Sequence, residues 1–201
     1  MARRRVIFHI DVNSAFLSWT AIRLMKDGMS DIRLVPSVVS GDPSDRRSII
    51  TAASIPAKRL GIRTADPVSM ALRKCPGLVI VKGDWEWYRI CSRGFIEICR
   101  SYSPVLQQFS IDECFIDMTM RNWGEDPTAV AARLKDEIKD KLGFTVNVGI
   151  GPNKLLAKMA SDFEKPDKVH TLWESEIAEK MWPLSVRDLL WVGKKTEEKL
   201  R

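Results

Sequence analysis

Histidine is scarce in this chain, with two in 201 residues, and there are four cysteines. The cysteines (Cys75, Cys91, Cys99 and Cys114) form no C-x-x-C pair, which argues against a zinc site or a dithiol redox motif. They read as reduced, mostly buried thiols. Long apolar runs are missing too: the stretch behind the basic start Met1-Ala2-Arg3-Arg4-Arg5 is broken by His9 and Asp11, so it suits neither a signal peptide nor a membrane span. There is no internal repeat and no low-complexity segment. Secretion and a membrane partner are therefore not expected, and the thiol usage favours a cytoplasmic, bacterial setting.

What is present is an ordinary globular composition, 45% hydrophobic and 29% charged, long enough for one large domain or two small ones. Lysine and arginine number 32 against 26 acidic residues, a net charge of +6. That balance suits an anionic partner such as nucleic acid. It suits a merely basic cytosolic protein equally well, so charge alone does not choose between them.

The β-branched and aromatic run 6–11 predicts a buried strand, and the spacing of 14–26, closed by Gly28, predicts a helix. Strands are expected at 34–39 and 48–51, joined by the loop Ser40-Gly41-Asp42-Pro43-Ser44-Asp45-Arg46-Arg47, with a short helix ending at Gly61. From Trp85 onward the pattern becomes regular: helix 85–102, strand 105–110, strand 114–118, helix 127–142 and strand 145–150. Asp126, Pro127 and Gly143 frame the second of these helices as N-cap, first helical residue and terminator. Counting the first strand, the order is β-α-β-β-α-β, the α+β split of a ferredoxin-like sheet, with a small α/β insertion after strand one.

This topology makes a statement about carboxylates. A right-handed crossover sets strands one and two parallel, and the hairpin-linked third strand enters antiparallel between them. The end of strand one, with Asp11, is then predicted to lie beside the hairpin tip Asp112-Glu113. Carboxylates gathered in this way repel one another unless hard cations neutralise them, and Mg²⁺ is the natural candidate. Two such ions can activate an attacking oxygen and stabilise a leaving one at phosphorus. Taken alone, the same residues also fit a polar hairpin turn and a strand end. The surrounding Phe109-Ser110-Ile111-Asp112-Glu113-Cys114-Phe115-Ile116-Asp117 weighs toward function, because an acidic pair within apolar strands is costly.

Three blocks, His9-Ile10-Asp11-Val12-Asn13-Ser14-Ala15-Phe16, Ser110-Ile111-Asp112-Glu113, and Gly149-Ile150-Gly151-Pro152-Asn153-Lys154-Leu155-Leu156-Ala157-Lys158 with Lys165-Pro166, resemble the signatures of Y-family DNA polymerases, in order and spacing. Ala57-Lys58-Arg59-Leu60-Gly61-Ile62 and Arg73-Lys74-Cys75-Pro76 resemble that family's fingers segment. The resemblance implies a palm at 1–14 and 85–166, fingers at 15–84 and the start of a helical thumb at 167–201. It implies a translesion polymerase acting on primer-template DNA and a dNTP with two Mg²⁺ ions, Mn²⁺ being a substitute. By the same resemblance Asp11, Asp112 and Glu113 hold the metals, helped by the Val12 carbonyl, with Glu113 nearest the primer 3′-hydroxyl. Phe16 is the steric gate against a ribose 2′-hydroxyl, and Lys58 and Lys165 hold the triphosphate, where positive charge suits oxygens that gain negative charge in the transition state. Lys154 and Lys158 share a helix face, in structural or backbone-contacting roles.

The sequence departs from the family pattern at several positions. Ile55 stands where a tyrosine is frequent and Lys58 where an arginine is, trading a planar fork for a point charge. The usual threonine falls one position out of register at Thr51, with Ala52 in its place. Asn13 and Ala15 replace a frequent aspartate and aromatic. Leu189-Leu190-Trp191-Val192-Gly193-Lys194-Lys195 resembles the opening of a phosphate-binding helix-hairpin-helix, with Trp191 at a usual glycine. With Arg201 last, the expectation is a fragment lacking most of the thumb, weak in DNA affinity and polymerisation, any sliding clamp engaging segments beyond it. The competing readings are a nucleic-acid-binding module with a decayed site and a nucleotide cyclase. Cyclases usually carry Gly-Gly where Ser110-Ile111 stands.

Overall fold

A computed structural model describes residues 4–42, 45, 47–120 and 124–200. Met1 to Arg3 of the basic start and Pro43, Ser44 and Arg46 of the first loop lie outside the described residues. In chain order the elements begin with β1 (Ile7–Val12), α1 (Ala15–Lys26), β2 (Ser37–Ser40), β3 (Ile50–Ala53), α2 (Ile55–Arg59), α3 (Val68–Lys74) and β4 (Val79–Lys82). There follow α4 (Trp85–Tyr102), β5 (Leu106–Gln108), β6 (Glu113–Asp117), α5 (Pro127–Leu142), β7 (Val146–Gly151), α6 (Lys154–Asp162), β8 (Val169–Thr171), α7 (Ile177–Lys180) and α8 (Lys194–Leu200). The chain forms two compact units, one of residues 1–12, 95–141 and 145–201, the other of residues 13–94 and 142–144.

The first unit is built on a five-stranded sheet in the order β5-β6-β1-β7-β8. β6 lies antiparallel between β1 and β5, and β7 runs antiparallel on the other side of β1. The ferredoxin-like order expected from the sequence is present, with β8 added parallel to β7 as an edge. Every residue of β7 is buried, and α6 crosses it at two glycines. A Cβ on Gly149 would collide with the Ala157 carbonyl oxygen and the Ser161 nitrogen, and one on Gly151 would lie 2.7 Å from the Ala157 nitrogen. Helix backbone therefore rests directly on strand backbone. Asn153 caps α6, its side chain accepting from Leu156 N at 2.9 Å.

The second unit carries a three-stranded sheet, β3-β2-β4, mixed in direction. Alternation assigns its faces. Val38 and Ala53 join Ala57, Ile62, Val68 and Ala71 in one core, while Val39 and Ala52 pack with Leu17 and Ala21 of α1 in another. The sheet is thus covered on both sides by helices.

Two expectations need correction. Residues 34–39 are not one strand: Asp31 caps a 3-10 turn over Ile32–Leu34 by accepting from Arg33 N, and pairing begins only after Pro36, which has no N–H to give a ladder. The strand expected at 48–51 begins at Ile50 and continues through Ala52 and Ala53, which are poor strand formers held by their partners Val39 and Val38. The short elements α3, β4 and β8 were not anticipated.

Candidate active site

The pairing of β1 with β6 brings Asp11 opposite Glu113, and Val12 N–H donates to the Asp112 carbonyl at 2.9 Å, fastening the end of β1 to the hairpin tip. Asp11, Val12, Asp112 and Glu113 therefore meet at one edge of one sheet. The Asp11 and Glu113 side chains are only 13% and 16% exposed. Charges packed this way must be compensated, and each carboxylate has a partner.

Asp112 accepts from Ser110 Oγ at 2.6 Å. Burial, reinforced by the charges of Asp11 and Glu113, still pushes its pKa upward against that bond. Glu113 shifts the other way. Hydrogen bonds from His9 Nε2 at 3.0 Å and Lys158 Nζ at 2.8 Å outweigh burial and lower its pKa from 4.5 to about 2. His9 is itself fully buried, and desolvation lowers its pKa against the pull of the Glu113 hydrogen bond. Its Nδ1 meets the Ser161 hydroxyl at 2.8 Å. Lys165 contacts Asp11 and, at 2.9 Å, Asp162. Burial disfavours its charge, but these two carboxylates prevail and raise its pKa.

The hard oxygens of this donor set suit Mg²⁺ or Mn²⁺ in kind, while Lys158 and Lys165 now sit on the Glu113 and Asp11 carboxylates. Side-chain rotation is needed for them to share an ion. Among the described residues no group of three or more His, Cys, Asp or Glu stands ready to hold one.

Phe16 and Lys58 belong to the second unit. Phe16 stacks on Tyr88, with ring centroids 4.9 Å apart, and meets Trp85 edge-on at 5.2 Å. Exposed Lys58 donates to Ser14 Oγ at 2.8 Å, so α2 is tied to the residue preceding α1, two positions before Phe16. Of the lysine pair on α6, Lys158 reaches Glu113 and Lys154 reaches Gln107. The sequence alone assigns no role to His9, Ser161 or Asn147. The one signal available was a polar residue at an inward strand position, as His9 is in β1 and Asn147 in β7.

Comparison with known proteins identifies the family and the fold. The family model described as impB/mucB/samB matches residues 10–162. The DNA polymerase IV of Clostridium acetobutylicum is 47% identical over 197 residues, covering 98% of this chain and 50% of that protein. The DNA polymerase IV 1 of Bacillus subtilis (strain 168) is 35% identical over 199 residues, 99% of this chain and 47% of that protein. The chain thus spans about half the length of the curated relatives it matches. Among solved structures, DinB from Sulfolobus solfataricus shares the fold with a TM-score of 0.85 at 23% identity, over 97% of this chain and 56% of that one. The chain belongs to the impB/mucB/samB family and has the fold of the Y-family DNA polymerases.

Proposed function

We propose that the chain is the catalytic portion of a template-directed DNA polymerase of the error-tolerant, translesion type, serving DNA damage tolerance in a bacterial cytoplasm. In this reading residues 1–14 and 85–166 are the palm, 15–84 the fingers, and 167–201 the opening of the thumb. The observation that supports this most is the register of β1 on β6, which sets Asp11 against Glu113 beside Asp112.

In the reaction, the primer 3′-oxygen attacks the α-phosphorus of a dNTP, a new P–O bond forms, and the bond to pyrophosphate breaks. Two divalent ions would activate the attacking oxygen and neutralise the leaving one. Asp11, Asp112, Glu113 and the Val12 carbonyl are the groups that would hold them. Lys165, kept cationic by its acidic neighbours, is suited to the triphosphate, where negative charge grows toward the transition state. Lys58 serves the same end as a point charge, without the planar fork of an arginine. Phe16, fixed from behind by Tyr88, is the surface that would meet the sugar and exclude a 2′-hydroxyl. Primer-template DNA is the polymeric partner, bound largely through phosphates.

The test is primer extension by the full-length protein with Mg²⁺ on intact and lesion-bearing templates. Wild type extends both, and Asp112→Ala loses at least ~10²-fold in rate, as removal of a group acting on the developing charge does. Phe16→Ala admits ribonucleotides. No extension by wild type, or equal extension by Asp112→Ala, reduces the chain to a binding module with a decayed site. An unchanged sugar preference in Phe16→Ala rejects the gate.

A further inference from the structure

The buried face of β7 that meets α6 carries Gly149, Gly151 and, by alternation, Asn147. The glycines are explained by close packing. Asn147 is not, since an apolar residue would fill a strand interior more cheaply than a fully buried amide.

Its hydrogen bonds account for it. Asn147 Nδ2 donates to the Ser161 carbonyl at 3.0 Å and to the Glu164 carbonyl at 2.6 Å. Its Oδ1 accepts from Lys168 N at 3.3 Å. One amide thus grips the chain at residues 161, 164 and 168, before and after Lys165. Two of these groups belong to the last turn of α6 and the residues just beyond it, where carbonyls lose their intrahelical partners; further on, Lys135 and Lys139 hold Asp167, and the Lys168 carbonyl accepts from Val148 N at 2.9 Å. On the strand side, Asn147 is the register partner of Asp11. The same position therefore pairs with the strand residue carrying one carboxylate and fixes the segment carrying the lysine that meets it.

We propose that Asn147 is a positioning residue for nucleotide binding: it holds segment 161–168 in the path that delivers the Lys165 ammonium to the Asp11 edge. Apolar packing of α6 docks the helix, and contacts to Asp167 and Lys168 fix the far end, but the turn over 163–166 that carries Lys165 is held through the Ser161 and Glu164 carbonyls by Asn147. This role rests on the reading of Lys165 as a triphosphate ligand.

The experiment is a double-mutant cycle in the full-length protein, Asn147→Ser against Lys165→Met, reading KM for dNTP, kcat, and amide hydrogen exchange of segment 163–168. Asn147→Ser raises KM about five- to tenfold and lowers kcat about two- to fivefold, because a displaced Lys165 is lost both to the bound triphosphate and to the charge that grows on it. Exchange in 163–168 accelerates, and in the Lys165→Met background the second substitution adds nothing to KM. If Asn147→Ser does not fold, Asn147→Leu keeps the size without burying a charge, lacks the donors and the acceptor, and gives the same readings. Unchanged exchange, or a KM effect that persists without Lys165, overturns the proposal. If Lys165→Met itself leaves KM unchanged, the nucleotide reading of Lys165 falls and this role with it, while the exchange data still report whether Asn147 holds the segment.

Discussion

Asp112 and Glu113 are neighbours in the chain with opposite electrostatics, and the difference lies in their partners. Glu113 receives two hydrogen bonds from nitrogen donors, whereas Asp112 has a serine hydroxyl and two nearby negative charges. Folding therefore favours ionised Glu113 and disfavours ionised Asp112. Since the folded pKa of Glu113 is depressed, its contribution to stability is fully present above pH 4.5 and is lost as pH falls toward about 2. Glu113→Gln should lower stability at neutral pH and flatten the acid limb of the stability curve across that window. Asp112→Asn should instead raise the thermal midpoint at neutral pH, each recovered kcal/mol being worth about 2–4 °C at this size, while polymerisation collapses. Calorimetry of both variants from pH 2 to 7 checks the signs; a destabilised Asp112→Asn would contradict the assigned burial penalty. The acidic trio was legible in the sequence because carboxylates are conspicuous inside apolar strands. His9, Ser161 and Asn147 were not, because a buried polar residue gives no sign in one dimension of which backbone or side chain will satisfy it.

At the scale of elements, the βαββαβ order was legible from caps and periodicity: α4 and α5 fall at the expected residues, and β1, β5, β6 and β7 within two. The elements missed are short. β8 has three residues, β4 has four and α3 seven, lengths at which periodicity carries little information and partner strands decide. Gly149 and Gly151 could be quoted from the sequence as part of a motif, but their reason is three-dimensional, the seat of α6 on β7. Gly149→Ala should unseat that helix, costing about 3 kcal/mol or more because the obstacles are backbone atoms that cannot rotate away. Denaturant unfolding gives the value, and a loss within about 0.5 kcal/mol, as at an ordinary surface site, would refute the close approach. Trp191 offers the converse case. It holds φ at +69°, a conformation that costs an aromatic residue and that glycine adopts freely.

For the molecule as a whole, the two units divide the proposed labour. The first contains the carboxylate edge with Lys158 and Lys165, and the second contains Phe16 on its aromatic bed and Lys58. Among the described residues no helix is long and apolar enough to cross a membrane, and the net charge of +6 suits a phosphate polymer. The most direct measurement is anomalous diffraction from crystals of the protein soaked with Mn²⁺ and a non-hydrolysable dNTP. Manganese peaks are expected within coordination distance of the Asp11, Asp112 and Glu113 carboxylates, with the triphosphate beside Lys165. Bound nucleotide with no manganese there, or with the metal seated on other residues, would contradict that placement.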